Sequence, residues 1–220
     1  MNDAVVRRAD PGSGELPPYA GIPLSRIRLV VSDELAGQAL AALMAADAVG
    51  VDSESKPTFR KGAVSTGPHL VQLATDDQAY LFPISRLGGA AAVKTILESA
   101  SVLKVGFGLG NDRSALKSAL GIDARRLLDL GEALRGPGHR GTVGTKAAVA
   151  HFFGQRLLKS KRTGTSNWAN PNLTDRQLLY AANDAHVALK LYRAWLRTQY
   201  ASLEALNRQW DATYASFDDA

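Results

Sequence analysis

Five short apolar runs of strand length constrain this 220-residue chain more than any other feature. They are VGVDSE (49–54), HLVQLAT (69–75), AYLFPI (79–84), VLKVGF (102–107) and LLDL (127–130). Short apolar or alternating runs bounded by turn residues read as strands. Asp76-Asp77-Gln78, between the second run and the third, predicts a hairpin. Helical stretches precede the first run, separate the third from the fourth and the fourth from the fifth, and follow the fifth. Ser32 is placed to N-cap a helix running to about Ala46, further helices cover about 90–99 and start near Asn111, and Gly154 closes one over 144–154. The last helix opens on a capping box, Thr174-Asp175-Arg176-Gln177, in which Gln177 reaches back to the cap backbone, and its apolar positions continue to Trp195. A hairpin, then β–α–β, then helices predicts an α/β fold whose mixed sheet carries helices on both sides.

Residues 1–25 hold Pro11, Gly12, Gly14, Pro17, Pro18, Gly21 and Pro23 and read as a flexible N-terminal arm. One domain is expected over 26–200, followed by a C-terminal helix or tail over 201–220 that ends in Phe217, Asp218 and Asp219. No apolar stretch reaches the roughly 18–20 residues that span a membrane, and the first residues lack the apolar centre of a secretory signal. The absence of cysteine excludes disulfides and thiolate metal sites and fits a cytoplasmic setting. His69, His139, His151 and His186 lie far apart, without zinc-ligand spacing, and read as surface or supporting residues. The formal charge of +5 fits a polyanionic partner, and it equally fits a merely soluble surface.

Carboxylates stand where apolar residues would be more at home. Asp52 and Glu54 end the first apolar run, Asp112 follows the glycine-rich KVGFGLGN, and Asp184 interrupts an alanine-rich helix. Asp52 and Glu54, two apart on a strand, share one face. Tyr180 and Asp184, four apart on a helix, also share a face. Four converging carboxylates repel one another unless cations separate them, and hard oxygen ligands suit Mg²⁺ or Mn²⁺. Two such ions at one site can activate water and stabilise a leaving oxygen. Each piece alone is ordinary: an Asp-x-Glu arises by chance in about half of chains this long. Order and context carry the reading.

Those same stretches resemble the DEDDy 3′–5′ exonucleases, in particular the Werner syndrome-type exonuclease domain and the ribonuclease D catalytic domain, over about residues 48–197. VGVDSE resembles the first motif, LVQLAT the strand after it, LKVGFGLGNDRSAL the second motif, and the long segment from Gly154 to Trp195 the third with its approach. The resemblance implies an RNase H-like fold with a mixed five-stranded sheet flanked by helices on both sides. It implies 3′–5′ hydrolysis of nucleic acid to nucleoside 5′-monophosphates with two divalent ions, Mg²⁺ or Mn²⁺. In that scheme Asp52 bridges both ions, Glu54 and Asp184 hold the one carrying the attacking water, and Asp112 serves the second, directly or through water. Tyr180 then orients the water; a phenol of ordinary pKa near 10 is a poor base at neutral pH. Ser55 would contact the terminal nucleotide through its backbone. Werner-type domains carry aromatics where this chain has Ser55 and Ser114, so base stacking is expected to differ.

Basic residues are placed to follow a phosphate backbone. Arg156, Lys159, Lys161 and Arg162 precede the last helix, and Lys56, Arg60 and Lys61 follow the first motif; the alternative for both clusters is a solvated loop. Trp168 reads as a core anchor rather than a stacking platform. DNA is the expected substrate and repair the setting the resemblance implies, because ribonuclease D proteins usually carry further helical domains and few residues follow Trp195 here. An exoribonuclease trimming RNA is the alternative, and a non-catalytic nucleic-acid-binding module the third reading. No obligate protein partner is inferred.

Overall fold

Alternation along residues 48–54 decides which way each layer of the molecule faces. The computed structural model describes residues 15–58, 66–86, 89–135 and 141–214. Residues 1–14 of the expected arm, Arg60, Lys61, His139 and the acidic residues near the C-terminus lie outside them. In chain order the elements are β1 (Ile27–Leu29), α1 (Asp33–Met44), β2 (Ala48–Glu54), β3 (Leu70–Ala74), β4 (Ala79–Pro83), α2 (Gly89–Glu98), β5 (Leu103–Gly106), α3 (Leu109–Leu120), β6 (Leu127–Asp129), α4 (Leu130–Ala133), α5 (Thr145–Phe153), α6 (Lys161–Gly164) and α7 (Asp175–Tyr214).

The strands form one mixed sheet in the order β1-β4-β3-β2-β5-β6. β3 runs antiparallel to its two neighbours, β2 and β4, while β1 runs parallel to β4, β5 parallel to β2, and β6 parallel to β5. Helices flank both faces as expected, but the sheet has six strands, not five. The additional one is β1, whose Ile27 pairs with Ala79 and Leu29 with Leu81. On one face Val49, Val51, Val71, Leu73 and Phe82 pack against Ala39 and Leu43 of α1 and Val93, Ile96 and Leu97 of α2. On the other, Leu70, Ala74, Ala79 and Leu81 pack against Ala181, Ala182 and Ala185 of α7, with Trp168 buried among them.

Local signals hold where they are strong. Ser32 Oγ accepts from Leu35 N at 3.2 Å. In the capping box Thr174 N donates to Gln177 Oε1 at 3.1 Å and Gln177 N to Thr174 Oγ1 at 3.3 Å. No Gly or Pro lies between residues 175 and 214, so nothing stops α7 near Trp195, and it runs on as one 40-residue helix instead of yielding to a second. Residues 17–22, expected within the loose arm, are tied down. Tyr19 N donates to Arg156 O at 3.0 Å, Arg156 N to Pro17 O at 2.8 Å, and Ile22 N to Asn183 Oδ1 at 2.9 Å. His186 is buried beneath the β3–β4 turn, its Nε2 3.2 Å from Asp76 O. Among the described residues no helix is long and apolar enough to cross a membrane.

One close approach sets the position of α7. A Cβ at Gly50 would collide with the backbone carbonyl oxygen of Ala185, so only glycine lets the helix sit this near β2. Gly50→Ala is expected to cost about 1–3 kcal/mol, as overpacking does. By displacing Asp184 it should also slow any reaction at this site, since a misplacement of about 1 Å can cost on the order of 10²-fold. Gly37→Ala, in α1 where an added Cβ meets nothing within 4 Å, is the control and should stabilise by roughly 0.5–1 kcal/mol. Thermal melts and initial rates on both variants measure the contrast.

Candidate active site

The β2–α7 contact brings the acidic residues together. Asp52 and Glu54 project from the C-terminal end of β2 toward α7, which supplies Asp184 one residue before the Ala185 contact. One carboxylate oxygen from each of Asp52, Glu54 and Asp184 lies within 4.8 Å of the other two. Asp112, in the first turn of α3, stands beside this trio and accepts a hydrogen bond from Ser53 Oγ, on the side chain between the two β2 acids. Its charge still acts on Asp52 and Glu54.

Burial and repulsion hold these acids toward their neutral forms. Desolvation, then the charges of Asp184, Asp112 and Glu54, push Asp52 well above the usual carboxylate range, against the pull of Lys159. Glu54 is pushed up to about 8 by desolvation and then Asp184. Desolvation raises Asp184 and Asp112 too, opposed at Asp184 by Lys159 and at Asp112 by the Ser53 hydroxyl. Desolvation first, then the charges of Asp184, Glu54 and Asp52, push Tyr180 above the ordinary phenol range. Tyr180 is therefore a protonated donor at neutral pH. Its Oη lies against Gly164 at the end of α6, where a Cβ would come within 2.7 Å of it. Behind it, Trp168 meets its ring at 6.0 Å and anchors Nε1 on Gly164 O at 3.1 Å.

Of the described basic residues expected to follow a phosphate chain, Lys159 is the one at the acids. Its Nζ is 2.9 Å from Asp184 Oδ1 and 6.0 Å from the Tyr180 ring centre. A cation already sits where the acidic trio needs one. Lys161 and Arg162 are exposed on α6, which Ser160 caps through Thr163 N at 3.2 Å. Lys56 is exposed, its backbone N donating to His69 Nδ1 at 3.1 Å, and the half-buried Ser55 faces Gly67. Arg156 is paired with Glu15 at 2.6 Å. Ser114, exposed on α3, bonds back to Gly110 O at 3.0 Å.

Three half-buried carboxylates with oxygens within one ion's reach, partly neutralised by a lysine, are compatible with a hard divalent cation such as Mg²⁺ or Mn²⁺. Sequence reasoning missed two further acidic-site supports. Ser53 fixes Asp112, and Asp129 holds the start of α3 by accepting from Leu109 N at 2.9 Å. The carboxylate at the end of the LLDL run was the available signal for Asp129.

The paired acids thus stand at the end of a central strand, with a Tyr–Asp pair on the helix that covers it, an arrangement compatible with a divalent cation that activates water. Residues 27–198 match the family described as 3′-5′ exonuclease, and the chain belongs to that family. It is 32% identical over 152 residues to the bifunctional 3′-5′ exonuclease/ATP-dependent helicase WRN of Mus musculus, a match covering 67% of this chain and 11% of the mouse protein. The EXO domain of Aedes aegypti Nibbler superposes with a TM-score of 0.68 at 28% identity, covering 85% of this chain and 96% of that one. Escherichia coli RNase D, described as an exoribonuclease involved in structured RNA processing, gives a TM-score of 0.66 at 22% identity over 80% of this chain and 46% of its own, a likeness of fold alone.

Proposed function

We propose that this chain hydrolyses DNA from its 3′ end, releasing nucleoside 5′-monophosphates, with Asp52, Glu54, Asp112 and Asp184 holding two divalent ions. The observation that carries this reading is the meeting of three carboxylate oxygens within 4.8 Å beneath a protonated Tyr180. When bound, such ions supply a water nucleophile at neutral pH and stabilise the leaving oxygen. The chain's own residues do the rest. Tyr180 donates a hydrogen bond into the site and orients what enters beside Glu54. Lys159, relieved of Asp184 when that carboxylate serves as a ligand, offers its ammonium to the phosphate; Lys56, Lys161 and Arg162 meet the backbone further out, with Ser55 near the terminal nucleotide.

The choice of DNA rests on the Werner-type motifs, which the 32% identity to the mouse protein supports. One gel tests it. Single-stranded DNA, a recessed 3′ end and RNA, each 5′-labelled, are incubated with Mg²⁺, Mn²⁺ or EDTA. A ladder of shortened DNA with either metal and none with EDTA is expected. A ladder on RNA alone overturns the choice of substrate, and no cleavage under any condition makes the chain a binding module.

A further inference from the structure

Gln72 is fully buried in β3, and neither its Nε2 nor its Oε1 has a hydrogen-bond partner among the described residues. An amide buried without partners costs stability for each group left unmatched, and folded proteins seldom keep one. The register shows what surrounds it. β2 and β3 are antiparallel, and Asp52 lies directly opposite Gln72. Opposed residues project from the same face of a sheet with Cβ atoms about 4.5–5.5 Å apart. That face is the one α7 covers: Leu70 and Ala74, two residues either side of Gln72, pack with Ala181, Ala182 and Ala185. On the far side its register partner is Leu81, in the same apolar cluster. Of the side chains in register with Gln72, Asp52 is the polar one, with Glu54 on the diagonal.

We propose that Gln72 is a positioning residue for the acidic site: its Nε2–H, without a partner among the described residues, comes to donate to the Asp52 carboxylate when that carboxylate turns to ligate a cation, and then holds it facing Glu54 and Asp184. The proposal rests on reading that trio as a metal site. A carboxylate at the end of a strand can rotate about its own side-chain torsions, and a ligand must not. A buried amide on the neighbouring strand, walled in by leucine and alanine, has Asp52 as the polar residue directly opposite it in the register. Donors behind a metal ligand fix its orientation, and losing one costs about 10–100-fold in metal affinity. Glutamine suits the task because it donates without adding charge to an already crowded acidic site.

The test compares the wild-type chain with Gln72→Met, which keeps the length of the side chain and removes both polar atoms. Thermal unfolding without metal, Mn²⁺ binding followed by EPR, and shortening of a 5′-labelled oligonucleotide are measured on both. Gln72→Met should unfold at or above the wild-type temperature, because an unpartnered amide is gone, yet bind Mn²⁺ roughly 10–100-fold more weakly and cleave more slowly. In an Asp52→Asn background the same substitution should leave Mn²⁺ affinity unchanged, since Gln72 acts through that carboxylate. Wild-type Mn²⁺ affinity in Gln72→Met overturns the proposal whatever its stability, and so does an undiminished effect in the Asp52→Asn background. A second measurement needs no variant: the Gln72 side-chain amide signals of the wild type should move when Mg²⁺ is added, and signals that stay still overturn the role. The binding arm also separates this proposal from the nuclease reading. A chain that takes up Mn²⁺ in a Gln72-dependent way but cleaves nothing upholds the first and sinks the second.

Discussion

Asp52→Asn is expected to abolish hydrolysis while making the metal-free protein harder to unfold. The ionised form of Asp52 is opposed by desolvation and then by the charges of Asp184, Asp112 and Glu54. Asparagine keeps the shape and removes the charge, so the repulsion felt by Glu54 and Asp184 falls with it. Loss of one preorganised charged group from an active centre costs roughly 10²–10³-fold in rate, and the proposed role of Asp52 as a metal ligand puts it at the upper end. The melting midpoint without metal should rise, most clearly near pH 8, where the wild-type acids are driven to ionise. At about 2–4 °C per kcal/mol for a domain of this size, even a modest gain is measurable. A variant that cleaves at the wild-type rate removes Asp52 from the site. A variant that loses activity and melts lower shows instead that Asp52 supports the fold.

What could be read in advance was local. The helix caps at Ser32 and Thr174, the β3–β4 hairpin and the pairing of acids on one strand face and one helix face depend on residues within four positions of each other, where spacing dictates geometry. What could not be read depends on distant pairings. β1 is three residues long and becomes a strand only by lying beside β4. Arg193 clamps Asp47 at 2.6 and 2.7 Å and Asp76 at 3.1 and 3.2 Å, joining α7 to two loops more than a hundred residues earlier in the chain. Lys159 reads in the sequence as one member of a basic run that follows a phosphate backbone, and only α7 shows it paired with Asp184. Gln72 was hidden by its own pattern. The alternation in HLVQLAT normally turns its polar residue to water, but β3 lies inside the sheet and every one of its residues is buried. Lys104 is a similar case, buried in β5 with Nζ donating to Ser99 O at 2.7 Å and Val102 O at 3.0 Å.

The acidic trio should also make stability fall with rising pH in the absence of metal, and divalent cation should reverse the trend. Glu54 moves from an ordinary 4.5 to about 8 on folding, so between those values the folded chain holds a proton that the unfolded chain has released. Stability from such a group is fully present below pH 4.5 and lost as pH rises through about 8. Asp52 and Asp184, also raised, act in the same sense. His69 and His186 are held below the usual imidazole value of 6.5 and act oppositely as they approach protonation, while Lys104, lowered to about 8, acts oppositely above that pH. Asp47, lowered to about 2 by Arg193, matters only in strong acid. The clean window therefore lies between about pH 6.5 and 8, and the loss across it should amount to roughly a kcal/mol or more. Mg²⁺ or Mn²⁺ must displace protons to bind, so it should raise the midpoint more at the upper end of the window than at the lower. At a hundred times the dissociation constant it would add about 2.7 kcal/mol, several degrees at this size. Thermal melts at both ends of the window, with EDTA and with each metal, measure this directly. Metal-free stability that climbs from pH 6.5 to 8, or a metal shift equal at the two, would mean that the three carboxylates do not share a site in solution. Asp52→Asn should flatten both trends, because it takes out the charge on which the repulsion centres.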